Sequence, residues 1–413
     1  MSRTEKSNEF IRAKFAEYYR NAELLSGPPD VERREFGFFT MNKNMIRHLR
    51  FTSKDELRSF LASAVPSDAY FSCAYYEKPE ANMDEKGWLG ADLVFDIDAD
   101  HIPTNCSKLH DNWTCTKCGF DGKGITPDCC PVCGGDKFDT KTWPCEVCVE
   151  SAKEETMKLL DILARDFGFS DKEIHVFFSG HRGYHVHIES ETIRTLGSVA
   201  RKEIVDYVCG LGFDTVFQSM LVGGSGKSDA SRDMYLDSAG WRGRLARGIY
   251  EFIQNAGQND YLNLRLRGVA LEAFVNRKDE ILKKWTEAGS LVPVKGIGFK
   301  TWSKIVEYCK RSQSSSIDTI VTTDNHRLIR MADALHGKTG LRKMEFPASS
   351  IVRFDPFKAA IVFKEGTVTV LVSDAPKFSL GDGTYGPYKD ERVELPTAAA
   401  ILLVCKGRAE VVD

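Results

Sequence analysis

Eight of the chain's twelve cysteines fall between Cys106 and Cys148. Four of them make two CxxC pairs, Cys115 with Cys118 and Cys130 with Cys133, separated by a short polar loop, and Cys129 stands spare beside the second pair. That is ribbon spacing, in which each knuckle offers two thiolates to one tetrahedral zinc. Gly119 and Gly134 follow the pairs and let the backbone fold over the sulfurs. Outside the ribbon, Cys106, His110, Cys145 and Cys148 form a second complete set of soft ligands, with His101 able to take the place of His110. Both sets have four protein ligands and no open position, so both are expected to be structural. One or two zinc ions should therefore fix how residues 106–148 fold. Cys73, Cys209, Cys309 and Cys405 lie in apolar segments and are expected in the core.

This use of cysteine suits a reducing compartment, where thiols serve as metal ligands more often than as disulfides. The N-terminus, MSRTEKSNEFIRAKF, is charged and has no secretory apolar core, so an intracellular, cytoplasmic protein is expected. The longest apolar runs, such as 398–404, fall far short of a membrane span. At 413 residues, 42% hydrophobic and 28% charged, the composition is that of a folded protein with two or more structural units. The net charge of −3 gives no global sign of nucleic acid, although basic clusters recur at 241–248, 265–268 and 336–343. Such clusters are as readily solvated faces as binding surfaces.

The segment ADLVFDIDAD (91–100) runs from an apolar stretch into aspartates at every second position. Residues two apart on a strand project to one side, so Asp96 and Asp98 would aim two carboxylates at one point. Two like charges that close call for a hard divalent cation of the magnesium or manganese type. A solvated edge strand leading into a turn would read the same way in isolation. SGHRGYHVH (179–187) adds Ser179, Arg182 and His185 around a glycine turn, a set suited to a polyphosphate. HRLIRMADALHGKTGL (326–341) supplies Arg330 and His336, with Lys338 beyond, and Asp318 just upstream is a third buried-carboxylate candidate. Three carboxylates with several phosphate-binding cations describe two-metal phosphoryl transfer.

Periodicity predicts a helix over 8–25, ending at SGPP, and a second helix opened by a capping box of Ser53 and Glu56. A helix over 152–168 would turn Met157, Leu160 and Leu163 or Ala164 inward. Strands are expected at 69–76 and 91–98, and 174–188 as strand, turn, strand. From about 201 to 311 the pattern is mainly helical. Strands follow at 314–324, 350–354, 359–363 and 366–372, then a helix near 396–405. The mixed order implies an α/β or α+β core with a helical insertion.

The succession DIDAD, SGHRGYH, ID, LIR and LHGKTGL resembles the small catalytic subunit of archaeal and eukaryotic DNA primases, the last motif having an archaeal flavour. The resemblance runs from RREFGF near residue 33 to ILLVCKGRAE near 409. It implies an α/β (α+β) primase core in three pieces, residues 1–105, 149–200 and 312–413. A zinc-binding insertion at 106–148 and a helical subdomain at 201–311 would interrupt it. By family pattern Asp96, Asp98 and Asp318 hold two catalytic Mg²⁺ or Mn²⁺ ions. Ser179, Arg182, His185, Arg330 and His336 hold the triphosphate, with Glu35 and Arg47 beside the nucleotide. His181 departs from the more basic residue of some relatives, and its role is open. Cys106, His110, Cys145 and Cys148 match the family zinc site, with the inner four cysteines an extra ribbon. The implied activity is primer synthesis on single-stranded DNA during replication, from NTPs or dNTPs, as a DNA-directed RNA polymerase type nucleotidyltransferase. The implied setting is a primosome at the nucleoid, with a large subunit as heterodimer partner and no membrane.

Two rivals use only part of this pattern. A zinc-ribbon nucleic-acid-binding protein would leave three aspartates and the SGHRGYH turn idle, and a metal-dependent nuclease has little need of a triphosphate set. GGSGKS (223–228) imitates a phosphate-binding loop but has Leu221 where the first glycine belongs. GIG (296–298) fits either a DNA-backbone hairpin or an ordinary turn between helices.

Overall fold

The computed structural model describes residues 2–21, 24–212, 235–288 and 297–412. The GGSGKS segment and the first glycine of GIG lie outside the described residues. The chain divides into two compact units. One comprises Met1–Thr156, Ser170–Lys202 and Ile317–Asp413, and the other Met157–Phe169 with Glu203–Ser316. The architecture is mixed α/β, with helices and several small sheets. Among the described residues no helix is long and apolar enough to cross a membrane.

Two four-stranded antiparallel sheets organise the first unit. In one, the strand order is Leu328–Arg330, Asp68–Ser72, Phe36–Phe39, Met45–Leu49. In the other it is Met344–Phe346, Ile174–Phe178, Gly183–Ile188, Leu93–Asp98. Leu93, Val94, Phe95 and Ile97 are all buried, so burial of this apolar run anchors the strand that carries the two aspartates. The turn between Phe178 and Gly183 is closed by a Ser179 N–H bond to the Gly183 carbonyl (2.9 Å). Two glycines permit the close packing here. Gly180 has φ +86°, with His336 Cβ only 3.0 Å from where a Cβ would lie; at Gly183 that atom would stand 2.3 Å from the Ile97 carbonyl.

Helix Arg3–Tyr19 starts on a capping box of Ser2 and Glu5 and buries Phe15 and Tyr19 beside the first sheet's Phe36 and Phe38. It stops at Tyr19, short of the expected 25, and Leu25 is buried from a separate turn. At Ser53 only half of the expected box forms. Ser53 caps the Glu56 N–H, but the Glu56 carboxylate binds Thr52 instead. Helix Thr397–Cys405, with a third sheet of Tyr388–Pro396, Thr367–Ala375 and Ala409–Val411, completes this unit's main elements.

Three strand expectations are overturned, two of them by local capping. The β-branched run after Asp318 is a short helix, Thr319–Thr323, because Asp318 Oδ1 accepts from the N–H groups of Ile320 and Val321. Residues 350–354 fall in a 3-10 turn, Ala348–Arg353, after Pro347. The 359–363 segment follows helix Pro356–Ala359, which Asp355 caps with proline at its first position. The long helix is Glu146–Arg165, and its buried stripe runs through Ala152, Thr156, Leu159 and Leu163. Met157 lies off that stripe and is 39% exposed, not inward.

The second unit is helical, built on Gly240–Asn255 and Phe299–Gln313 around Trp241, Ile249, Trp285 and Ile305. Arg244, in the basic cluster at 241–248, is no solvated residue. It is buried and paired with Asp161 and Asp166.

Candidate active site

A cleft of about 200 Å³ opens in the first unit where the edge strands of its two sheets face each other. Leu328–Arg330 borders it from one sheet and Leu93–Asp98 from the other. Asp96 and Asp98 both line it, as the two-residue strand period requires. His185 stands opposite Asp96 in the neighbouring strand, its Nε2 3.4 Å from Asp96 Oδ1, and Gly183 stands opposite Asp98. Asp318 is brought to the same strand by its main-chain N–H, which donates to the Asp96 carbonyl at 2.8 Å. Burial, then the charges of Asp98 and Asp318, push the Asp96 carboxyl up to about 7. Burial also raises Asp98, opposed mainly by the Arg182 guanidinium.

Ser179, His181, Arg327, Arg330 and His336 line the cleft with these carboxylates. The two motifs that carry them are joined directly: Thr339 Oγ1 donates to the Gly180 carbonyl at 2.5 Å, and the rings of His181 and His336 stack at 5.1 Å. Arg330 is held by Asp68 and by Tyr70 Oη (3.2 Å). Burial, followed by neighbouring cations, holds His185 and His336 well below the usual imidazole range, so both are neutral at physiological pH. His181 Nε2 lies 2.5 Å from Lys406 Nζ, a partner that no nearby sequence announces.

Three expected nucleotide contacts do not line this cleft. Arg182 is 1% exposed, and its guanidinium is taken up by Asp100, by Asp111 at 2.8 Å and by the Trp143 carbonyl at 3.4 Å. Its side chain is thus turned from the cleft toward the cysteine-rich segment. Glu35 is fully buried, with Lys86 at 2.8 Å and Arg47 at 3.1 Å. Against the cost of burial, those two cations keep the Glu35 carboxyl below its usual range. Lys338 is exposed. Conversely, Asp68, Tyr70, Arg327 and Lys343 were not picked out from sequence. Arg327, three residues before Arg330, was the one with a visible signal. Lys343 is buried, its Nζ donating to the Arg330 carbonyl at 2.7 Å and lying 3.3 Å from His187 Nε2.

Two sets of soft ligands are gathered within 4.8 Å: Cys106, His110, Cys145 and Cys148, and Cys115, Cys118, Cys130 and Cys133. Sulfur separations of 3.5 and 3.6 Å in the first set and 3.6 Å in the second suit a tetrahedron of zinc–sulfur bonds, whose edges are about 3.8 Å. His110, not the exposed His101, completes the outer set, and Cys130 rather than the exposed Cys129 completes the inner one. Both sets could hold a metal ion and fit zinc. Among the described residues the three aspartates are not drawn together that tightly.

A family model described as DNA primase small subunit matches residues 136–347. The chain is 35% identical to the DNA primase small subunit PriS of Methanothrix thermoacetophila, over 98% of this chain and 99% of that one. The chain belongs to the DNA primase small subunit family. It is also 34% identical to PriS of Cenarchaeum symbiosum over 95% of each chain, and 30% identical to PriS of Nitrosopumilus maritimus over 98% of each. This membership supports a primase role in DNA replication. In this primase subunit the matched span contains Ser179, His185, Asp318, Arg330 and His336, whereas Asp96 and Asp98 precede it.

Proposed function

We propose that the cleft catalyses template-directed nucleotidyl transfer, joining nucleoside triphosphates into short primers on single-stranded DNA. The observation that carries this reading is the meeting of two carboxylates, two arginines, a serine and three histidines in one cleft, with Asp318 tied to the strand of Asp96 beside it, all drawn from segments far apart in sequence. Asp96, Asp98 and Asp318 would hold two Mg²⁺ or Mn²⁺ ions, and Cys106, His110, Cys145 and Cys148 with the inner four cysteines would hold zinc. When bound, the catalytic ions supply a lowered pKa at the attacking 3′-hydroxyl and charge neutralisation at the leaving pyrophosphate. Arg330 and Arg327 offer guanidinium donors to the triphosphate, and Ser179 offers a hydroxyl. His185 and His336, being neutral, donate or accept hydrogen bonds there without adding charge. Glu35, buried and paired with Lys86 and Arg47, would buttress the sheet that borders the cleft. A large partner subunit completes the proposed enzyme at the replication machinery.

One gel separates this reading from its rivals. The protein, a single-stranded template and NTPs or dNTPs are incubated with Mn²⁺; primer synthesis supports it, while strand cleavage or mere template retention overturns it. A finer test addresses the triphosphate. Arg330→Gln removes the charge and is too short to reach Asp68 and Tyr70. Loss of a charge-assisted contact of roughly 1.5–3 kcal/mol should raise the apparent KM for NTP about 10–100-fold. Template affinity, measured without nucleotide, should hold. Weakened template binding with an unchanged NTP titration would place Arg330 in the nucleic-acid path instead.

A further inference from the structure

Arg182 points away from the cleft, yet its sequence neighbours Ser179, His181 and His185 line it. What its side chain touches gives it another task. Asp111, 4% exposed, sits between the outer ligand set and this arginine. Asp111 Oδ1 lies 2.7 Å from His110 Nδ1 and accepts the Trp143 N–H at 3.1 Å. That leaves His110 Nε2 on the sulfur side, 3.5 Å from Cys148 Sγ. The other carboxylate oxygen, Asp111 Oδ2, takes Arg182 at 2.8 Å. Beyond Asp111, the Arg182 guanidinium meets Asp100, and its Nε stands 3.9 Å from Asp98 Oδ1. The Arg182 carbonyl also accepts the N–H of Ala99, the residue after Asp98. One buried carboxylate is therefore shared between a metal-ligating imidazole and the cation that borders a catalytic carboxylate.

We infer that Asp111 is a positioning residue that couples the outer zinc site to Asp98 through Arg182, so that the occupancy of that site governs how the cleft takes up its divalent ions. The inference rests on the proposed assignment of the cleft and of the outer set. A carboxylate behind a metal-bound imidazole fixes the ring and its tautomer. Here the same carboxylate also neutralises a guanidinium. Removing its charge leaves Arg182 with less anionic company, and its positive charge falls more fully on Asp98. There it competes with a divalent cation for that carboxylate.

The test uses the full-length, zinc-loaded protein and Asp111→Asn, which keeps size and loses the charge. Zinc release to a chelating dye should show one of two ions leaving about 10–100-fold faster than in the wild type, the size expected of a lost partner behind a ligand. The Mn²⁺ concentration for half-maximal synthesis should rise about tenfold, the equivalent of one weakened charge interaction, while the KM for NTP stays near wild type. A general loss of fold would not split these constants. Arg182→Lys is the second variant. It keeps a positive charge but cannot fork between Asp111 and Asp100, so it should raise the Mn²⁺ requirement likewise. Combined with Asp111→Asn it should add little further loss. Unchanged zinc release and Mn²⁺ dependence in folded variants, or strictly additive losses, overturn the coupling alone. A wild-type protein that yields no zinc, or an Asp98→Asn variant that still makes primers, overturns the underlying assignment and the coupling with it.

Discussion

Asp96→Asn and Asp98→Asn are each expected to cut primer synthesis about 1,000-fold, the effect of removing roughly 4 kcal/mol of metal-borne transition-state stabilisation. Folding should survive, because asparagine fills the same space and sheds a charge that is costly where it stands. Asp96 makes this a signed prediction. Its carboxyl rises from 3.8 toward about 7 in the folded protein. Across that interval the native state holds a proton that the unfolded chain has lost, so without divalent ions stability should fall as pH rises from 4 to 7. Asp96→Asn should flatten that slope and raise the melting temperature at neutral pH. Labelled-primer gels and thermal melts across pH measure the two effects. Near-normal synthesis by the Asp96→Asn, Asp98→Asn double variant would rule out the assignment.

The second large effect is expected at the zinc sites, and it should be unequal between them. Elemental analysis should find two zinc ions per chain, one for each ligand set. Cys148→Ser opens the outer set and removes binding free energy that for structural zinc reaches about 10–16 kcal/mol, so one ion should be lost and the melt should move sharply downward. Synthesis should be lost with it, since Cys148 is buried at the start of helix Glu146–Arg165 and its set adjoins Asp111 and Arg182. Cys118→Ser opens the inner set instead. Cys118 is exposed, and its ribbon is Asn112–Cys115, Asp121–Lys123 and Phe138–Lys141, whereas Arg182 pairs with Asp100 and Asp111 just outside those strands. Synthesis at saturating template should largely persist after that change. Equal loss from both variants would mean that the two sites serve as one structural piece.

Part of the candidate site's placement was legible because its signals are local. An apolar run that turns into alternating aspartates can be read along one strand, and CxxC pairs can be read within a knuckle. The choices left open were between neighbours that sequence treats alike, Cys129 or Cys130 and His101 or His110, and only packing distinguishes them. The misreadings share another cause. Thr319 to Thr323 are β-branched or otherwise strand-prone, but a single carboxylate at Asp318 satisfies two N–H groups and starts a helix. Arg182 sits in a motif rich in phosphate-binding residue types, yet its partner Asp111 lies 71 positions earlier. Ion pairs over such spans leave no trace in a local pattern. The same holds for Asp68, whose pairing with Arg330 spans 262 positions.

That last span has a consequence for how the enzyme is made. Strand Asp68–Ser72 has Phe36–Phe39 on one side and Leu328–Arg330 on the other. A ribosome adding about 5–20 residues per second needs roughly 13–50 s to travel the 262 positions from Asp68 to Arg330. For that time one flank of a largely apolar sheet has no partner in the nascent chain, and an unpaired strand edge is a template for association with other chains. The strand that finally covers it is the one that delivers Arg330 to the cleft. Protection from aggregation and acquisition of activity therefore arrive in the same step of synthesis, and a chain released before that step would be both inactive and adhesive.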